Sequence, residues 1–184
     1  MKARVFAKVT GLLMAAVMTG GMMFAAPVQE QGNYSDEASK LLKEIQSRAA
    51  DLSYDASILE SFTRSQPSWQ THAEHLARAG THINAIGERL QRLNEIREVS
   101  APWQKDAIDS LMPVAVSLAN RTNAAIQHTK QNGRNLWSEV YTEHLRAISG
   151  HADQLKETVG LHLDLSSTQD KLDELRTRAA TLGS

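Results

Sequence analysis

The sequence predicts an all-α fold, an up-down-up-down four-helix bundle of long helices built as a duplicated helical hairpin. Three observations carry this expectation. Along four long stretches, apolar residues recur at alternating steps of three and four, which lines one face of a helix turning every 3.6 residues. Of only four prolines, Pro27, Pro67 and Pro102 fall outside these stretches, leaving Pro113 alone inside one. Finally, Glu74-His75-Leu76 with His82 recurs as Glu143-His144-Leu145 with His151, an offset of 69 residues. The same offset carries Ile86 onto Leu155, Glu88 onto Glu157, Leu90 onto Val159, Tyr34 onto Trp103 and Leu42 onto Leu111. Such an echo suggests that helices 1–2 are repeated as helices 3–4, the alternative being a chance match between two helical segments of similar composition.

Residues 1–26 read as an export signal or N-terminal anchor. Lys2, Arg4 and Lys8 form a positive start, and Val9 to Ala26 carries no charge. Small residues end it at Ala25-Ala26, but Phe24 and Met23 lie where a cleavage site prefers small side chains. Cleavage is the favoured reading and an uncleaved membrane anchor the alternative. Positive charge stays inside, so both place the remaining chain outside the cytoplasm, in the periplasm or secreted.

Residues 27–35 read as a polar lead-in and 36–180 as the bundle domain. Helix 1 is expected to start near Ser35, an N-cap type followed by Asp36 and Glu37 where acids suit the helix dipole. Its seam is Leu42, Ile45, Ala49, Leu52, Ala56 and Leu59. Ser65-Gln66-Pro67-Ser68 breaks the chain. Helix 2 follows with Trp69, His72 or Ala73, Leu76, Ala79, Ile83, Ile86, Leu90 and Leu93, up to Ser100-Ala101-Pro102. Helix 3 carries Ile108, Leu111, Ala115, Leu118, Thr122, Ala125 and Thr129, with a kink expected at Pro113 and a stop at Asn132-Gly133. Helix 4 carries Tyr141, Leu145, Ile148, Ala152, Leu155, Val159 and His162 or Leu163, and runs on toward Leu172 and Leu175 past an interruption at Ser166-Ser167-Thr168. Trp69, Trp103 and Trp137 each stand near a helix start and read as end-plugs of the bundle.

Composition narrows the function. The formal net charge is −1, and loss of the three leader cations would bring it to about −4, whereas a nucleic-acid binder needs a basic surface. With no cysteine, thiol nucleophiles, thiolate metal sites, disulfides and covalent haem attachment are excluded. There is no His-Glu-x-x-His, no glycine-rich phosphate loop and no Gly-x-Ser-x-Gly elbow. No hydroxyl has a recognisable base and orienting partner. Glu74 and Glu143 adjoin their histidines, so they point about 100° away rather than forming the Glu-x-x-His of di-iron bundles.

Histidines are the remaining candidates. In the expected topology His75 and His144 fall at one height, and His82 and His151 form a second layer. His72 and His128 lie near the same end. Imidazole suits Zn, Cu and Ni, and paired imidazoles can hold haem b. Gly80 and Gly150 within these layers allow close helix approach or room for a ligand. The commoner role of such boundary histidines is a hydrogen bond to water or a carboxylate. The leading functional expectation is therefore an exported, non-enzymatic envelope protein with a binding or structural role and no cofactor. The alternative is a transition-metal- or haem-binding bundle using His72, His75, His82, His128, His144 and His151. Expected partners are an envelope protein, a small ligand or a second copy, with membrane contact only through an uncleaved N-terminal segment.

Overall fold

The computed structural model describes residues 28–65, 67–132 and 135–182. The leader lies outside the described residues. What is described is all-α, with helices α1 (Val28–Ser65), α2 (Trp69–Glu95), α3 (Pro102–Gln131) and α4 (Glu139–Leu182), and a short 3-10 turn at Arg97–Val99 before α3. Helix α1 packs on α2 and α4, and α3 packs on α2 and α4.

The core follows the 3-4 rhythm closely. Leu42, Ile45, Ala49, Leu52, Ala56 and Leu59 of α1 are fully buried, as are Leu145, Ile148, Ala152, Leu155 and Val159 of α4. Leu76, Ile86, Leu90 and Leu93 of α2 and Ile108, Leu111 and Leu118 of α3 complete the cluster. Each fully buried Leu or Ile contributes about 1.5–3 kcal/mol relative to exposure, so this seam, rather than helix propensity, holds the four helices. Ile83 and Ala115, expected in the seam, are only partly buried.

Helix ends follow local chemistry. Ser68 adopts an extended conformation and its hydroxyl accepts the Thr71 N–H at 3.3 Å, capping α2. Pro102 opens α3, where its missing N–H costs nothing. Gln104, fully buried, accepts the Ala101 N–H at 2.9 Å and donates to the Ser35 carbonyl at 2.8 Å and the Ser39 hydroxyl at 2.9 Å. One side chain thus caps α3 and fastens it to α1. Gln104→Ala strands these groups and should cost about 1–3 kcal/mol in urea unfolding.

Three expectations need correction. Helix α1 begins at Val28 rather than near Ser35: Gln29, Glu30 and Gln31 are good helix formers, and the helix continues through the weaker Gly32 and Asn33. Ser166-Ser167-Thr168 does not interrupt α4. The Thr168 hydroxyl donates to the Asp164 carbonyl at 2.8 Å, satisfying itself within the helix. Trp69 and Trp137 are each 50% exposed and plug nothing, whereas Trp103 packs partly buried against the core. Pro113 lies inside α3 at an exposed position, where water can reach the carbonyl it leaves unpaired.

Candidate functional site

The densest polar cluster sits where α1 meets α2 and α3 meets α4. It is centred on His72 of α2 and Tyr141 of α4, which are 1% and 0% exposed. His72 Nδ1 lies 2.9 Å from the Tyr141 hydroxyl. Thr129 Oγ1 lies 3.4 Å from that phenol oxygen and donates to the Ala125 carbonyl at 2.9 Å. Phe62 meets His72 edge-on at 4.9 Å, and His128 stacks on Tyr141 at 5.0 Å.

The Thr129 hydroxyl is the donor both to the Ala125 carbonyl and, at longer range, to the Tyr141 oxygen. His72 Nε2 is buried without a hydrogen-bond partner among the described residues. Burial, and next the charge of neighbouring His75, pull the His72 pKa down to about 4. Burial likewise pushes the Tyr141 phenol up to about 12. At neutral pH both groups are uncharged, so the cluster is a neutral pin joining three helices.

The other candidate histidines divide among separate environments. His75 meets Phe62 edge-on at 5.1 Å and takes an Arg78 guanidinium contact at 3.3 Å. His128 Nε2 lies 3.1 Å from the Asn135 carbonyl and 3.3 Å from the Ser138 hydroxyl, tying the α3–α4 connection down. The pKa of His144 is lowered by burial and then by the Arg121 charge. His82 Nε2 is 3.4 Å from Asp55 of α1, a carboxylate side chain only 7% exposed, which Arg78 approaches at 3.9 Å. That carboxylate is held between the His82 ring and the Arg78 guanidinium, because a lone buried charge is strongly destabilising. His151 is half-buried on α4. His75 and His144, and His82 and His151, share no hydrogen bond or ring contact among the described residues. Nor do three His, Asp or Glu side chains there converge as a group able to hold a metal ion.

Gly150 was expected to serve close approach or a ligand. A methyl group added there would meet nothing within 4 Å, and the residue is exposed. Gly150→Ala should therefore stabilise the protein by about 0.5–1 kcal/mol, read as a raised melting temperature.

A second feature lies on the far part of α4. Leu161, Leu165, Leu172, Leu175 and Leu182 are between 49% and 89% exposed. Beyond Leu163, every described residue of the helix except Ser166 is exposed. These leucines do not continue the core seam. Extended past Val159, that seam would fall on His162, Ser166, Gln169, Asp173 and Arg176, all polar. The leucines stand one residue earlier, which turns their ridge by about 100° around the helix. The spacing of 161, 165, 168, 172, 175, 179 and 182 is itself a heptad rhythm, with Thr168 and Ala179 as the small members. Helix 4 runs on past Leu172 and Leu175 as the sequence predicts, but on a ridge apart from the core seam. The one-residue shift of phase was the available signal, and Tyr141 as hub could have been read from an aromatic with a hydroxyl at a seam position.

No family model, curated protein or solved structure matches this chain. Among the described residues no helix is long and apolar enough to cross a membrane.

Proposed function

We propose that the chain is an exported, non-enzymatic helical-bundle protein of the cell envelope, in the periplasm or secreted, that works by binding through a helix face. The observation that carries this reading is the leucine ridge of α4. Contiguous exposed apolar surface of several hundred Å² marks an interaction site on soluble proteins. The positive start and uncharged apolar run of residues 1–26 support export. The engagement of His72, His82 and His128 with Tyr141, Asp55 and Asn135 favours a structural role for the histidines.

The proposed topology is up-down-up-down, favoured by short connections and by the packing of α1 on α2, α2 on α3, α3 on α4 and α4 back on α1. A duplicated hairpin is favoured by its burial pattern. At the 69-residue offset, Leu42 and Leu111, Leu76 and Leu145, Ile86 and Leu155, and Leu90 and Val159 are buried alike. Two pairs at that offset also touch, Ser35 with Gln104 and His72 with Tyr141, as residues near an internal two-fold axis do.

Photo-crosslinking tests the functional reading. A benzophenone side chain is placed at Leu165 or Leu172 on the ridge, or at Asp51 or Glu157 on exposed polar positions, in protein expressed with its leader. Adducts in the exported fraction, from ridge positions only, are expected. Equal labelling from both sets, or protein confined to the cytoplasm, would contradict it.

A further inference from the structure

We infer that the far part of α4 pairs antiparallel with the same segment of a second copy of this chain, forming a two-stranded coiled coil outside the four-helix core. The inference rests on the reading of the ridge as a contact surface and names its occupant.

The helix itself calls for a partner. From residue 164 to 182 it has almost no tertiary packing, whereas most helical stability in proteins comes from packing an amphipathic face. Its apolar face is a heptad seam, with Leu165, Leu172 and Ala179 at one core position and Leu161, Thr168, Leu175 and Leu182 at the other. Because the leucines are turned away from the core phase, covering them requires no rearrangement of the four-helix core.

Self-pairing fits both shape and charge. In the antiparallel register centred between residues 173 and 174, Leu165 meets Leu182 of the second copy, Thr168 meets Ala179, and Leu172 meets Leu175. Large residues face large ones and small face small, so the layers close without an oversized void. The parallel alternative stacks Ala179 on itself and sets Lys171 beside Arg176 of the other strand, a like-charge pair flanking the seam. Charge polarity points the same way. Asp164, Asp170 and Asp173 outweigh Lys171 in the first half of the segment, whereas Arg176 and Arg178 outweigh Glu174 in the second. Antiparallel pairing opposes these unlike halves, at the expense of two like-charge contacts, Lys171 and Arg176 each near its symmetry mate. Within one helix Asp173 binds Arg176 at 3.1 Å, which offsets part of that repulsion, and Glu174 approaches Arg178 at 3.8 Å.

In this register Leu161 falls opposite no residue of the second copy. A half-exposed leucine offers on the order of 100 Å², so the four paired leucines offer about 400 Å² per copy and about 800 Å² over two, and the flanking side chains must supply the rest of the roughly 1,000 Å² that a specific interface buries.

Sedimentation equilibrium of the purified chain tests the pairing, and cysteine trapping tests its orientation. A reversible dimer is expected, and the double variant Leu172→Ser/Leu175→Ser should weaken it at least about 100-fold. Both residues are exposed in the single chain, so the variant should keep its helical circular dichroism and show that folding is intact. The protein has no native cysteine, so mixing Thr168→Cys chains with Ala179→Cys chains should give a mixed disulfide under mild oxidation. A monomer at about 100 μM, a dimer indifferent to the double Ser variant, or disulfides only between identical Thr168→Cys chains would each overturn the inference. A monomer whose ridge still crosslinks to another protein overturns self-pairing alone. A monomer without ridge adducts removes the binding reading as well.

Discussion

Leu145→Ala should lower the unfolding free energy by about 3–4 kcal/mol, while Leu172→Ala in the same helix should change it by less than about 0.5 kcal/mol at concentrations where the chain is single. The two positions differ in whether neighbouring helices cover them. Leu145 is fully buried among the core residues of α4 and its neighbours, and its truncation leaves a cavity that close-packed surroundings cannot fill. Leu172 is 49% exposed, and its truncation removes little that is covered. Urea unfolding followed by circular dichroism, at low micromolar protein, gives both values from one experiment. Similar losses at both sites would mean that the leucines of the tail belong to the core.

Acid should destabilise the protein well above the carboxylate range. His72 titrates near 6.5 in an unfolded chain and at about 4 in the folded one. Between these values the unfolded state binds more protons, so stability falls as pH drops from about 6.5 toward 4 and is restored as pH rises through that window. The full shift corresponds to an upper bound of about 3 kcal/mol. His144, also lowered, acts in the same direction. His72→Phe keeps a ring against Phe62 and removes the titrating imidazole. Its unfolding free energy should therefore change less between pH 7 and 5 than that of the parent chain. An unchanged slope would show that other groups set the acid sensitivity. A histidine NMR titration would read the His72 value directly.

The sequence made the core legible because burial there obeys a single rule, the 3-4 periodicity. Leu42 through Leu59 and Leu145 through Val159 needed no knowledge of tertiary contacts. The exceptions show what periodicity lacks. Helix boundaries depend on weak local preferences, so Ser35 looked like a start although the residues before it also favour helix. The serines and threonine at 166–168 looked like a break, but a hydroxyl inside a helix can bond the preceding turn. Trp69 and Trp137 have the size of core residues, yet they lie beyond the last covered layer.

The candidate site was legible only in part. The histidines could be placed on helix faces from their spacing, but their partners could not. Asp55 comes to His82 from another helix, and Tyr141 reaches His72 across 69 residues of chain. Such pairings depend on which helices adjoin and at what height, to within a few Å. The leucine ridge was in the sequence throughout. It was concealed because a one-residue change of phase within a long helix leaves composition and overall periodicity nearly untouched while turning the apolar face by about 100°.

Hydrogen–deuterium exchange along α4, measured across a hundredfold range of protein concentration, tests the central claim most directly. Amides of residues 164–182 should gain protection as concentration rises, while those of residues 141–159 stay constant because the core already holds them. Protection of the tail that is the same at every concentration would contradict the claim that this ridge is a contact surface between copies of the chain.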